Sequence, residues 1–346
     1  MKRNGAFVNN TTLTAHSDDA GRRLDRILRK ALPELPLSAL HKLLRKGHVL
    51  VNGRAAGGED RIPAGAVIEI AMKTEAALTP SRDRTENSPS SLDILWEGAG
   101  LLILNKPVGL AVHGEDDPQK QDSLEKRVHA YLAGTLPPSL SFKPGPLHRL
   151  DKGTSGIVVF SLNLEAAQWF SALLKQGMIR KRYLAVLEGE LPQSELWEDM
   201  LYRDREARTT FVSAGPSDCR RTGEQLYRRA CTRITPLAGT TRHGRSFTYA
   251  RLEIETGRTH QIRAQAAHHG HPLVGDRKYG GSLLSPHNGF FLHAAELELP
   301  GTDCVNADST EETRRLIPPE IPRLVRAPLP DAFAQTVKEL FGILSV

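Results

Sequence analysis

The chain has 346 residues, 39% of them apolar, with 46 Lys+Arg against 40 Asp+Glu and a net charge of +6. That apolar share excludes a wholly disordered chain, and no run nears the ~18 consecutive apolar residues of a membrane-spanning helix. The basic N-terminus, MKRNGAFVNNTTL, has no apolar stretch behind its charges, and three dispersed cysteines (Cys219, Cys231, Cys304) form no disulfide framework, so neither a secretory leader nor an oxidising compartment is expected; the expected setting is the cytoplasm.

The charge is uneven. Residues 1–73 carry 13 Lys+Arg and 7 Asp+Glu, and the remainder carries 33 of each. An excess confined to the first fifth of the chain points to a small nucleic-acid-binding module, and residues 14–73 read as that module. A helix runs from Gly21 through Lys30, with Leu24, Ile27, Leu28 and Leu32 as its apolar stripe and Arg22, Arg23, Arg26, Arg29 and Lys30 mostly off it. Pro33 and Pro36 close it. Ser38 is the predicted N-cap of a second helix that buries Leu40, Leu43 and Leu44, stops at Gly47 and adds Lys42, Arg45 and Lys46 to the basic surface. Residues 48–51 predict a strand, Asn52-Gly53 a tight turn, and 67–70 a second strand after a turn at Pro63-Ala64-Gly65. Residues 74–91, polar with two prolines, predict a flexible linker that raises local RNA concentration.

Residues 92–346 form the larger domain. Strands are predicted over 101–104, 156–161, 178–187 and 249–256, and a helix over 164–176 ended by Gly177; 236–248 and 302–316 predict surface loops. Strands and helices do not alternate regularly. An α+β fold is therefore expected, a mixed, mainly antiparallel sheet with packed helices, preceded by the small α/β module.

Three segments of this domain gather reactive residue types. Asn105-Lys106-Pro107-Val108-Gly109 follows an apolar strand, and its turn places Lys106 and His113 on a loop edge. His148-Arg149-Leu150-Asp151-Lys152-Gly153-Thr154-Ser155-Gly156 crowds charge on a turn that feeds an apolar strand, where scaffolded loops usually carry function. Gly257-Arg258-Thr259-His260-Gln261-Ile262-Arg263 ends a strand and opens a helix, with Thr259 as predicted N-cap and Gly270 as stop. Taken singly these are weak: an Arg-Leu-Asp on a turn is more often a surface ion pair than a catalyst, and Arg258 and Arg263 read equally as solvated or as bridging loops.

Together they resemble the pseudouridine synthase family. The His148–Gly156 segment is similar to its leading motif, Arg182-Tyr183-Leu184-Ala185-Val186 to its tyrosine motif, and the Gly257–Arg263 segment and Gly270-His271-Pro272-Leu273-Val274-Gly275-Asp276-x-x-Tyr279-Gly280 to its later motifs, in that order. The resemblance covers residues 92–300 and is to the branch acting on bacterial large-subunit rRNA and some tRNAs. The basic module resembles the small RNA-binding domain named after a ribosomal small-subunit protein. The family's reaction is redox-neutral, so no cofactor and no metal are expected. The resemblance implies Asp151 as the catalytic carboxylate, acting on the uracil ring, on the sugar, or on a sugar proton. It implies Arg263 as its cationic partner, Tyr183 as a ring that stacks on uracil and helps remove the C5 proton, and Ile262 as pocket lining. Arg149 either fills the space of the extruded uridine or contacts a phosphate, and His148 and Thr154 belong to the same pocket segment.

Structured RNA is the expected partner, and rRNA is favoured by the module and by Phe142-Lys143-Pro144-Gly145-Pro146-Leu147. The rivals are tRNA and a non-catalytic assembly factor. A monomer is expected. Residues 215–230 and 239–245 match the family only loosely. His268-His269-x-His271 reads as a helix end, not a metal site, and Arg180-Lys181-Arg182 reads as an RNA contact or a solvated cluster.

Overall fold

In the N-terminal module, Leu24, Ile27 and Leu28 face one way at helical spacing, and the computed structural model buries all three. The structure describes residues 9–72, 91–114, 122–135, 139–204, 206–213, 227–283, 289–301 and 317–343. The predicted linker (except Ser91), the predicted 302–316 loop and most of 215–230 fall outside them. The chain divides into two compact units.

The smaller unit contains β1 (Asn9–Thr14), β2 (Arg22–Arg23), α1 (Leu24–Ala31), α2 (Leu37–Arg45), β3 (Val49–Val51), β4 (Arg54–Ala55), β5 (Arg61–Ile62) and β6 (Val67–Met72). Its main sheet is antiparallel in the order β1-β6-β3-β4. β1, which the sequence left without an assignment, pairs along its whole length with β6. Asn52 and Gly53 both take positive φ, as their hairpin turn requires. α2 starts at Leu37 with Pro36 as N-cap, so Ser38 is not the cap. Proline pre-sets the backbone of the first turn and lacks an N–H that would otherwise need a partner. Residues 128–145 and 162–167 belong to this unit too. Buried Asp19 binds the first of these, accepting from Ser139 Oγ at 3.0 Å, Leu140 N–H at 3.0 Å and Ser141 Oγ at 2.5 Å. The hydroxyls and the backbone N–H groups of His16 and Leu140 outweigh burial and hold this carboxyl below its usual range.

The remaining elements are β7 (Ile94–Gly98), β8 (Leu101–Lys106), α3 (Leu124–Tyr131), β9 (Gly145–Pro146), β10 (Ser155–Ser161), α4 (Leu164–Lys175), β11 (Arg180–Glu188), β12 (Glu195–Asp204), β13 (Thr209–Val212), β14 (Arg228–Arg242), β15 (Arg245–Ile254), α5 (Gln261–His268), β16 (Leu292–Glu298), β17 (Leu324–Arg326) and α6 (Asp331–Phe341). The large sheet runs β13-β12-β14-β15-β11-β16-β10-β8-β7, with β17 beside β16. Among the described residues, β10 and β16 pair in parallel. The fold is thus the expected α+β, mixed and mainly antiparallel. Residues 236–248 are not a loop. They belong to the β14–β15 hairpin, whose turn is His243-Gly244, and Pro236 is accommodated where the register slips between Pro236 and Ala238.

β11 divides the unit's interior. Leu184 and Val186 pack with Phe333 and Val337 of α6. By strand alternation Tyr183 and Ala185 face the opposite side.

Candidate active site

Asp151 stands on the turn that feeds β10, closed by the Thr154 N–H donating to the Asp151 carbonyl at 3.0 Å. Thr154 is buried. Just beyond, Gly156 has φ of +105°, and a Cβ there would lie 2.2 Å from the Ala294 carbonyl oxygen. Only glycine allows β10 to run beside β16, and that pairing sets where the turn emerges.

Lys106 secures the turn from within. The sequence suggested a loop edge; the side chain is instead fully buried. Its Nζ donates to the carbonyls of Pro107 at 2.9 Å, Leu110 at 2.8 Å and Lys152 at 3.4 Å. A long flexible stem lets a strand-end lysine turn inward once carbonyls receive its charge. Burial pushes this amine down to about 7, with the negative charge of Asp151 working in the other direction.

Arg263, on α5, joins two carboxylates. Its Nε and Nη2 donate to Asp276 Oδ2 and Oδ1 at 2.7 and 2.9 Å, and its Nη1 donates to Asp151 Oδ2 at 2.9 Å. The Asp276 side chain is 1% exposed, that of Arg263 9% and that of Asp151 22%, so the buried carboxylate orients the guanidinium and the remaining nitrogen reaches the accessible one. The guanidinium also lies over the rings of Phe290, at 4.3 Å, and Tyr279, at 5.0 Å. Burial opposes its charge, but the bonds to Asp276 and the pull of both carboxylates prevail and raise its pKa.

Tyr183 is buried on β11 between Leu252 and Ala294. Burial, and then the charge of Asp151, push its phenol well above the usual tyrosine range. The side chain is therefore a neutral phenol, not a phenolate base. The wild-type rate is expected to show no tyrosine ionisation up to about pH 10. Single-turnover pH–rate profiles of wild type and Tyr183→Phe check this, and a wild-type limb below that pH that vanishes in the variant contradicts it.

Of the other predicted residues, Ile262 is buried beside Arg263 on α5. His148 Nε2 accepts the Val159 backbone N–H at 3.2 Å. Burial, reinforced by the charge of Lys181, pushes this imidazole down to about 3, so it pins the turn as a neutral ring. Arg149 is exposed, and no described residue bonds its guanidinium. In the smaller unit Arg26, Arg29, Lys42, Arg45 and Lys46 are exposed. Arg23 instead pairs with Asp25 and Glu59, and Arg22 donates to the Ser141 carbonyl and Oγ. Arg182 binds Glu253, Glu296 and Glu298. His269 pairs with Asp199 and stacks on Trp197, so it is engaged within the fold.

Sequence reasoning missed Asp276, His260 and Tyr279 as site residues. All three stand inside the quoted motifs, but no local signal marks them; the structure shows only that the Gly275 preceding Asp276, at φ +87°, could not carry a Cβ, which would lie 2.3 Å from the Gly289 carbonyl oxygen. Thr259 is not the cap of α5. His260 takes that place in left-handed backbone at φ 53°.

A sequence model of the family described as RNA pseudouridylate synthase matches residues 100–268. The ribosomal large subunit pseudouridine synthase D of Xylella fastidiosa is 30% identical over 326 residues, covering 93% of this chain and 89% of its own. The chain belongs to the RNA pseudouridylate synthase family. The ribosomal large subunit pseudouridine synthase C of Escherichia coli is also 30% identical, over 87% of this chain and 92% of its own. Among solved structures, human RNA pseudouridylate synthase domain containing 1 superposes with a TM-score of 0.52 at 23% identity, covering 74% of this chain and 89% of its own, and shares the fold. As an RNA pseudouridine synthase the protein is an isomerase: it detaches uracil from C1′ at N1 and reattaches it through C5.

Proposed function

We propose that this synthase modifies uridines in large-subunit rRNA, with Asp151 as the catalytic carboxylate, and that it does so in the cytoplasm. The observation that carries the catalytic assignment is the asymmetry of the carboxylate. Arg263 holds Oδ2, while Oδ1 accepts no hydrogen bond from any described residue. Attack on uracil, attack on C1′ and removal of a sugar proton all require one free, anionic oxygen beside the nucleoside, and Oδ1 meets that requirement. Tyr183 stacks on the uracil and offers a neutral hydroxyl, and Ile262 lines the pocket. A uridine inside a helix must first be extruded; Arg149, exposed and bonded by no described residue, two residues before Asp151, either fills the vacated place or holds a phosphate. His148 and Thr154 support this turn.

The rRNA target rests on the names of the relatives and on the exposed cations of the smaller unit. Replacing Arg26, Arg29, Lys42, Arg45 and Lys46 together by alanine is expected to raise KM and to lower the slope of log affinity against log salt by about 3–4, through lost counterion release. Unchanged affinity and slope contradict the binding assignment. Pseudouridine mapping of RNA from a deletion strain tests the target: rRNA sites vanish if it is correct, and loss of tRNA sites alone overturns it.

A further inference from the structure

His260 stands beside Asp151. Its Nε2 is 3.7 Å from Asp151 Oδ2. Its other nitrogen, Nδ1, lies 2.8 Å from the Tyr279 hydroxyl and 3.4 Å from Arg203 Nη1. The Tyr279 oxygen already accepts the Thr210 backbone N–H at 2.9 Å, so its own proton is free to be donated to Nδ1. The guanidinium of Arg203 can only donate. Two donors converging on Nδ1 require a lone pair there, and a neutral imidazole with a lone pair on Nδ1 carries its proton on Nε2. The N–H so placed is on the nitrogen that lies nearest the oxygen of Asp151 that Arg263 also holds.

Resting on the reading of Asp151 as the catalytic carboxylate, we propose that His260 is a positioning residue for it: a neutral Nε2–H donor, set in its tautomer by the chain Thr210–Tyr279–His260, that locks Oδ2 against Arg263 and so commits Oδ1 to the uridine. The charges around the ring agree. Burial lowers the imidazole to about 4; Asp151 opposes this, and Arg263, Arg203 and Lys278 add to it. The ring is therefore uncharged near neutral pH. At 3.7 Å the contact to Asp151 is too long for a hydrogen bond. A movement of about 1 Å as the nucleoside seats brings it into range, the tightening expected between a free and a loaded site. The left-handed backbone at His260 is consistent with a functional constraint, because a non-glycine residue is held there at some strain while its ring occupies this place.

The test uses the full chain and total RNA from cells lacking the gene, labelled with tritium at C5 of uridine, which the reaction releases. His260→Ala is expected to lower kcat by about 10–100-fold with KM within about twofold, and His260→Gln, which restores an N–H at the Nε2 position, to recover most of the rate. Tyr279→Phe keeps the ring over Arg263 but removes the proton that sets the tautomer, and is expected to lower kcat by about tenfold. It stands as an independent arm should His260→Ala fail to fold. A wild-type kcat in either His260→Ala or Tyr279→Phe overturns the proposal, as does equal loss in His260→Ala and His260→Gln. Asp151→Ala is assayed alongside. An active Asp151→Ala removes the underlying reading itself, whereas an inactive one beside a fully active His260→Ala removes only this inference.

Discussion

Asp151→Asn is expected to lower pseudouridine formation by at least about 10⁴-fold while the protein stays folded. The substitution keeps the volume and leaves an amide oxygen for Arg263 Nη1 to reach, so the local structure has little cause to change. What disappears is the anionic Oδ1, and all three chemical routes open to the carboxylate need that charge. The stability consequence is small because Asp151 is the accessible partner of Arg263: the guanidinium keeps its two bonds to buried Asp276. Circular dichroism with single-turnover tritium release separates the two effects. Residual activity within tenfold of wild type contradicts the assignment.

Asp276→Ala reverses the pattern, with a large loss of stability and a loss of activity that follows from it. Removing Asp276 leaves a buried guanidinium with one partner instead of two. Breaking a buried pair in this way typically costs about 3–5 kcal/mol, mostly because the abandoned charge stays desolvated. Without its bidentate anchor, Arg263 no longer presents Nη1 to Asp151 at a fixed angle, so the rate falls as well. All three tryptophans, Trp96, Trp169 and Trp197, lie in the larger unit, so urea unfolding followed by tryptophan fluorescence reports on that unit. A loss below about 1 kcal/mol means that the pair contributes little and that Arg263 is held by the Phe290 and Tyr279 rings instead.

The contrast between these two carboxylates shows how far the sequence could be read. Asp151, Arg263 and Tyr183 were singled out through the resemblance of whole motifs, not through local punctuation, which taken alone fits a surface ion pair or a core tyrosine as well; of their expected relations the structure shows the pairing of Arg263 with Asp151. Asp276 was quoted within a motif and still missed. Its role depends on Arg263 arriving from another element, and nothing local distinguishes a buried bidentate carboxylate from a surface one. His260 and Tyr279 were missed for the same reason. Lys106 was misread because a lysine at a strand end is ordinarily solvated; of the carbonyls that receive it, those of Pro107 and Leu110 are local but turn inward only in the fold, and that of Lys152 comes from 46 residues away. Residues 236–248 were misread because Pro236 and Gly239 are loop signals, yet a register slip in a long antiparallel pair absorbs the proline. The sheet class was easier, since irregular strand spacing excludes regular βαβ winding whatever the strand order. The smaller unit's helices were legible from their leucine spacing, whereas the burial of Asp19 against residues 139–141 joins positions some 120 apart in the chain.

The central claim, that Asp151 is the carboxylate of an rRNA-modifying synthase, is tested most directly by pseudouridine mapping in cells lacking the gene and complemented with wild type or Asp151→Asn. Large-subunit rRNA sites are expected to vanish on deletion and to return with wild type alone. Restoration of those sites by Asp151→Asn would contradict the account.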